Sequence, residues 1–130
     1  MIATIQSIIG TTPDGKWGPK SHQALSKSLD ENINIPISKN ITLNELIHSN
    51  TAKARKIDNI PPVGYLTNLI NSTINLWQPA RDILGNPMII SSGYRCYALN
   101  KAINGSTTSA HSYGYAIDFK VPGLTTPQVL

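Results

Sequence analysis

The spacing of apolar residues sets the first expectations. Ile2, Ile5, Ile8 and Ile9 recur at three- and four-residue intervals, which predicts an N-terminal helix. Thr12-Pro13-Asp14-Gly15 ends that pattern, because Pro and Gly set the backbone angles of a tight bend. Lys16-Trp17-Gly18-Pro19 follows. A second short helix is expected over 21–29, with Ala24 and Leu25 as its apolar pair, begun by Ser21 or by the Gly18-Pro19 step. Residues 31–40 alternate Ile with polar side chains and read as a linker holding one short strand, with Pro36 favouring an edge or an extended tether.

From Ile41 the texture is that of one larger domain. Thr42 and Glu45 have the spacing of a capping box and open a short helix. After Pro61-Pro62, the apolar residues Val63, Leu66, Leu69, Ile70, Ile74, Trp77, Ala80 and Leu84 predict a long helix with one buried face. It should kink at Pro79 and stop at Gly85. Met88–Ser92 and Tyr115–Val121 read as strands, joined through a Gly/Ser/Thr/Asn-rich loop over 100–109. From Leu124 the chain looks like a helix start, with Thr126 as N-cap and Pro127 at the first helical position. No internal repeat or low-complexity tract is present.

Composition narrows the class. The 130 residues are 40% hydrophobic and 14% charged, which excludes a disordered chain, a coiled coil and collagen. The net charge of +4 comes from scattered Lys and Arg, whereas a nucleic-acid face needs a patch or stripe of them. Weak attraction to an anionic surface such as a cell wall fits that charge equally well. No apolar run approaches the ~18 residues that span a bilayer. The first ten residues lack the basic start of a secretory signal. Neither membrane insertion nor export by a signal peptide is therefore expected. The single cysteine, Cys96, excludes an internal disulfide and an all-cysteine zinc cluster; it reads as a half-buried small hydrophobe, with a nucleophile as the rival.

The densest chemistry lies in Ser109-Ala-His111-Ser-Tyr-Gly114-Tyr-Ala-Ile-Asp118. A carboxylate inside a strand of Ile and Phe calls for a cation or a metal, because burying it bare is costly. A His and a carboxylate are two of the three protein ligands of a catalytic zinc. Gly114 would let the backbone turn so that both side chains meet. On spacing alone, an exposed loop His and an Asp paired to a nearby Lys or Arg explain the pattern equally well. Upstream, Ser91-Ser-Gly-Tyr94-Arg95 places a guanidinium just after a strand, suited to a carboxylate or an oxyanion, or else to packing on Tyr94.

Taken together, Ser-x-His-x-x-Gly-x-Ala-x-Asp preceded by Ser-Gly-Tyr-Arg resembles the zinc D-Ala-D-Ala metallopeptidases and their L-Ala-D-Glu endopeptidase relatives, which cut peptidoglycan stem peptides. The resemblance runs over about 41–123 and takes in Thr42–Leu46, Ile57–Pro61, the Trp77 helix and Leu99-Asn100. It implies an α+β domain: a small antiparallel sheet flanked by helices, of the D-Ala-D-Ala metallopeptidase and Hedgehog type. It implies His111 and Asp118 as Zn2+ ligands, Arg95 as the catalytic oxyanion stabiliser, and Ser109 and Tyr94 in the substrate cleft. Residues 1–30, with Ile5-Gln6, Asp14-Gly-Lys-Trp-Gly-Pro19 and Ala24-Leu25, are similar to a small helical peptidoglycan-binding repeat. That likeness puts Trp17 on ligand; the rival is a helical hairpin with Trp17 in its packing interface.

Three segments are thus expected: 1–30 wall-binding, 31–40 linker, and 41–130 a metallopeptidase domain. Such enzymes also use a Glu general base and a third ligand, a His, near the C-terminus. The twelve residues after Asp118 hold no Glu, Asp or His. Glu45-Leu-Ile-His48 has the spacing, but in the family this segment is an outer helix without ligands. The expectation is a C-terminally truncated member of the phage-endolysin type that binds zinc poorly and cuts little or nothing as it stands. It is expected to be monomeric, made in the cytoplasm and active at the bacterial wall on peptidoglycan, with L-Ala-D-Glu the favoured bond. The rivals are a non-catalytic wall-binding or phage structural protein, and a fold relative with a non-wall substrate.

Overall fold

The computed structural model describes residues 1–106 and 108–122. The helix expected from Leu124 lies outside them. Helix α1 spans Ile2–Ile9 and ends at Gly10, whose φ of 84° is the left-handed conformation that glycine adopts without strain. Helix α2 spans Pro19–Asp30, so the Gly18-Pro19 step, not Ser21, begins it. Gln6 fixes the bend between the two. It is buried, its Nε2 donates to the Lys16 carbonyl at 2.9 Å and to Ser21 Oγ at 3.1 Å, and its Oε1 accepts the Gly15 N–H at 2.9 Å.

The segment read as a linker is no free tether. Ile35 and Ile37 are buried, and an isolated bridge joins Pro36 to Thr42. These residues make one apolar cluster with Ile5, Ile9 and Leu25 on one side and Leu43, Leu46 and Leu66 on the other. Each fully buried Ile or Leu contributes about 1.5–3 kcal/mol of transfer free energy.

Helix α3 (Leu43–Ile47) opens with the anticipated capping box: Thr42 accepts from the Glu45 N–H, and Glu45 accepts from the Thr42 N–H. Helix α4 (Asn50–Arg55) follows at once, capped by Ser49. The long helix is in fact two, α5 (Val63–Ser72) and α6 (Gln78–Leu84), joined by a π-helical turn over Thr73–Trp77. The Pro79 ring would clash with the carbonyl one turn earlier, and a widened turn just before it removes the clash. The extra residue rotates the later positions by about 100°. Ile74, expected inside, is accordingly 45% exposed, whereas Leu66, Leu69 and Ile70 are buried. Val63 is also exposed, because it stands at the helix start.

Strand β1 (Ile89–Ser92) pairs antiparallel with β2 (Asp118–Lys120), giving the α+β class the sequence implied. The second strand is shorter than the expected Tyr115–Val121. The register sets Ser92 opposite Asp118, so residues 115–117 run past the end of β1, where the chain turns away at Gly93 and they have nothing to pair with. Helix α7 (Tyr97–Ala102) and a 3-10 turn over Ala110–Tyr113 occupy the connection. No helix among the described residues is long and apolar enough to cross a membrane.

Candidate active site

Residues 93–96 leave β1 along a path that the chain fixes from three sides. A Cβ at position 93 would run into the Leu46 carbonyl, so the close approach needs glycine. The Tyr94 N–H donates to that same carbonyl at 2.7 Å. Buried Asn59 donates to the Ile47 and Tyr94 carbonyls, both at 2.9 Å, and accepts the Cys96 N–H at 2.8 Å. Removing such a partner strands buried main-chain groups, at about 1–3 kcal/mol each. Arg95 is therefore held at both neighbours. The sequence pointed to neither Gly93 nor Asn59 as positioning residues; the available signal was the polar pair Asp58-Asn59 set between Ile57 and Ile60.

The loop carrying His111 docks on α5. Asn68 Nδ2 donates to the Tyr113 carbonyl at 2.8 Å. Gly114 has φ 81°, and a Cβ there would lie 2.7 Å from the Tyr65 carbonyl, so the expected turn requires glycine for its angle and for its closeness to α5. Ser109 caps the 3-10 turn, and its hydroxyl accepts from Arg95 Nη2 at 3.1 Å. The Arg95 N–H donates to the His111 carbonyl, also at 3.1 Å. Arg95, Ser109 and His111 are thus directly connected.

His111 Nδ1 lies 2.8 Å from the Gly93 carbonyl, which can only accept, so Nδ1 carries the proton and neutral His111 keeps its lone pair on Nε2. Nε2 stands 3.6 Å from Asp118 Oδ2, beyond a good hydrogen bond. Two ligands at zinc's ~2.0–2.2 Å on a tetrahedral centre sit about 3.3–3.6 Å apart. The pair therefore fits a shared metal, with a second hydrogen bond of the kind that orients ligating histidines. Among the described residues no third His, Cys, Asp or Glu completes the set.

The reason for expecting a metal at Asp118 needs correcting. Its side chain is 62% exposed at the start of β2, not sunk in an apolar strand, whereas that of His111 is only 12% exposed. What favours the metal is the convergence of the two groups, not the burial of a carboxylate. Arg95 Nε is buried without a hydrogen-bond partner among the described residues. Arg95, Ser91, Ser92 and His48 line a cavity of about 250 Å³. The readings of His48 as a surface histidine and of Glu45 as a cap both match: His48 is exposed, on the rim of this cavity, and Glu45 closes the capping box.

Tyr94 also lines that cavity, beside Arg95, whereas Trp17 stands apart from it. Tyr94 is 3% exposed and makes a tilted contact with Tyr65, so most of its ring is packed beneath the cavity it borders. Burial, followed by the neighbouring Cys96 thiol, pushes its hydroxyl up to about 12. Trp17 is half-buried beside Pro19, His22, Pro62 and Val63, where α2 meets the start of α5. There His22 Nε2 meets Asp58 Oδ2 at 2.6 Å. Burial raises the Asp58 carboxyl, but the Ile60 N–H and His22 together outweigh it and hold the group below its ordinary range. Cys96 is half-buried, as expected, and its sulfur accepts the Leu99 N–H at the start of α7.

A model of the family described as peptidase M15 matches residues 39–130, well over half of the chain. No curated protein matches it significantly.

Proposed function

The chain belongs to the peptidase M15 family, and on that premise we propose that it is a zinc-dependent peptidoglycan hydrolase of the endolysin type, acting at the bacterial cell wall. Its bond is an amide of the stem peptide, with L-Ala-D-Glu favoured. The observation that carries this reading is the convergence of His111 Nε2 and Asp118 Oδ2 at 3.6 Å, with Arg95 bonded through its main-chain N–H to the His111 carbonyl.

His111 and Asp118 would hold the metal. When bound, zinc supplies a Lewis acid that activates water and polarises the scissile carbonyl. The Gly93 carbonyl keeps the His111 proton on Nδ1, so the ring presents its lone pair without reorganising. Arg95, held by Ser109 through Nη2, would offer its guanidinium to the carbonyl oxygen as it gains charge. A donor already desolvated and held in place is worth far more there than one in water.

Two ligands hold zinc more weakly than three, and no Glu after Asp118 serves as general base, so this chain should cut little or nothing at an ordinary rate. That same shortfall supports one other reading, a wall-binding or phage structural protein that retains the fold without catalysis. Purified muropeptides incubated with the protein and zinc, then weighed by mass spectrometry, separate the two. Addition of one water across a stem-peptide amide, abolished by a chelator, is the expected result. Intact muropeptides together with retained binding to sacculi would overturn catalysis in favour of the second reading.

A further inference from the structure

Arg95 immediately precedes Cys96, the N-cap of α7, and the same short helix carries Asn100, which is only 5% exposed. Asn100 Nδ2 donates to the Ser106 carbonyl at 2.7 Å, and the Asn100 carbonyl accepts the Gly105 N–H at 2.8 Å. A Cβ at position 105 would run into Asn100 Oδ1, so glycine lets the chain pass this close to the amide. The Ser106 carbonyl accepts a second hydrogen bond, from the Ser109 N–H at 3.1 Å. Both its lone pairs are therefore taken, which fixes its direction. Ser109 Oγ then accepts from Arg95 Nη2 at 3.1 Å and from the His111 N–H at 3.3 Å. The chain and these bonds close a ring: Arg95, α7, Asn100, the Ser106 carbonyl, Ser109, and back to the Arg95 guanidinium.

We propose that Asn100 is a positioning residue: through the Ser106 carbonyl and Ser109 it sets where the Arg95 guanidinium stands. The inference rests on the reading of Arg95 as the group that meets the oxyanion, and it names the side chain that holds that group still. A serine hydroxyl rotates freely, so Ser109 can fix a guanidinium only if its own main chain is held. Asn100 supplies that hold from a buried helix, with a neutral donor suited to a carbonyl oxygen. Asn59 grips the main chain on both sides of Arg95, at the Tyr94 carbonyl and the Cys96 N–H. Asn59 thus places the backbone of Arg95, and Asn100 the far end of its side chain.

The test is NMR of the Arg95 side-chain N–H signals, assigned by their loss in Arg95→Lys, in the full chain and in Asn100→Ala, Ser109→Ala and the double variant. Exchange of these protons with water should quicken about fivefold in Asn100→Ala, the effect of one hydrogen bond loosened. Ser109→Ala should do the same, and the double variant should add nothing, because both changes break one ring. The Asn59 side-chain amide should keep its shifts in Asn100→Ala. An Arg95 rate unmoved by Asn100→Ala, effects that multiply in the double variant, or Asn59 signals lost along with those of Arg95 would each overturn the proposal. If Asn100→Ala does not fold, the wild type decides. Scalar couplings to the Ser106 carbonyl carbon from both Asn100 Nδ2 and the Ser109 nitrogen are expected, and their absence would overturn it. Muropeptides left intact by a chain whose Arg95 follows Asn100 would sink catalysis alone. Chelator-sensitive cleavage with Arg95 indifferent to Asn100 would sink the positioning role alone.

Discussion

Gly114→Ala tests whether the turn between His111 and Asp118 is built on α5. Two separate penalties apply. The left-handed φ of 81° disfavours any side chain by about 1–2 kcal/mol. The new Cβ would also lie 2.7 Å from the Tyr65 carbonyl and 3.2 Å from both Asn68 Cβ and Leu69 Cγ. Overpacking of that kind costs about 1–3 kcal/mol, and a helix carbonyl has little room to give. Gly85→Ala is the control, because it shares the positive φ, 67°, with nothing within 4 Å of its Cβ. Urea unfolding compares them. With a slope of about 1.5 kcal/mol per molar, Gly114→Ala should lower the midpoint by about 2 M and Gly85→Ala by less than about 1 M. Equal midpoint shifts would refute the reasoning, since the loop would then not rest on the Tyr65 carbonyl.

Gln6→Ala should lose about 2–3 kcal/mol in the same assay, since it leaves the Lys16 carbonyl and the Gly15 N–H unpaired around the bend; a loss below about 0.5 kcal/mol would contradict that bonding. The Asp58 carboxyl is depressed on folding, so its stabilising effect is present above the ordinary carboxylate value and is lost as pH falls through the lower folded value. Asp58→Asn should therefore flatten the acid limb of a stability–pH curve, and an unchanged limb would speak against the His22 and Ile60 contacts. Tyr94 has the opposite sign. Its hydroxyl is raised on folding, so its contribution is complete below about pH 10 and fades as pH rises towards about 12. Ultraviolet titration should show one of the five tyrosines ionising late, and Tyr94→Phe should remove that late step.

Much of this was legible in the chain because local chemistry sufficed. The four isoleucines of α1, the Gly18-Pro19 start of α2 and the Thr42–Glu45 box each act within a few residues. The length of β2 did not, because it depends on where β1 ends and on a register that places Asp118 at the strand's first pair. Ile74 was misplaced for a similar reason: a π turn ahead of Pro79 alters the phase of the helix face without altering its apolar spacing. At the site, the residue types of His111, Asp118, Arg95 and Ser109 were readable. The groups that aim them, the Gly93 carbonyl and Asn59, act across 18 and 37 positions of sequence and carry no local signature. Tyr94 borders the same cavity as Arg95, but its burial against Tyr65 depends on α5 and carries no local signature.

The central claim is that His111 and Asp118 share a zinc ion, and ring-nitrogen NMR of the three histidines under zinc titration tests it most directly. The account predicts that Nε2 of His111 shifts while its Nδ1 stays protonated, that His22 and His48 are unmoved, and that Asp118→Asn weakens the effect. Zinc that leaves the His111 ring unchanged, or that perturbs His22 or His48 instead, would contradict it.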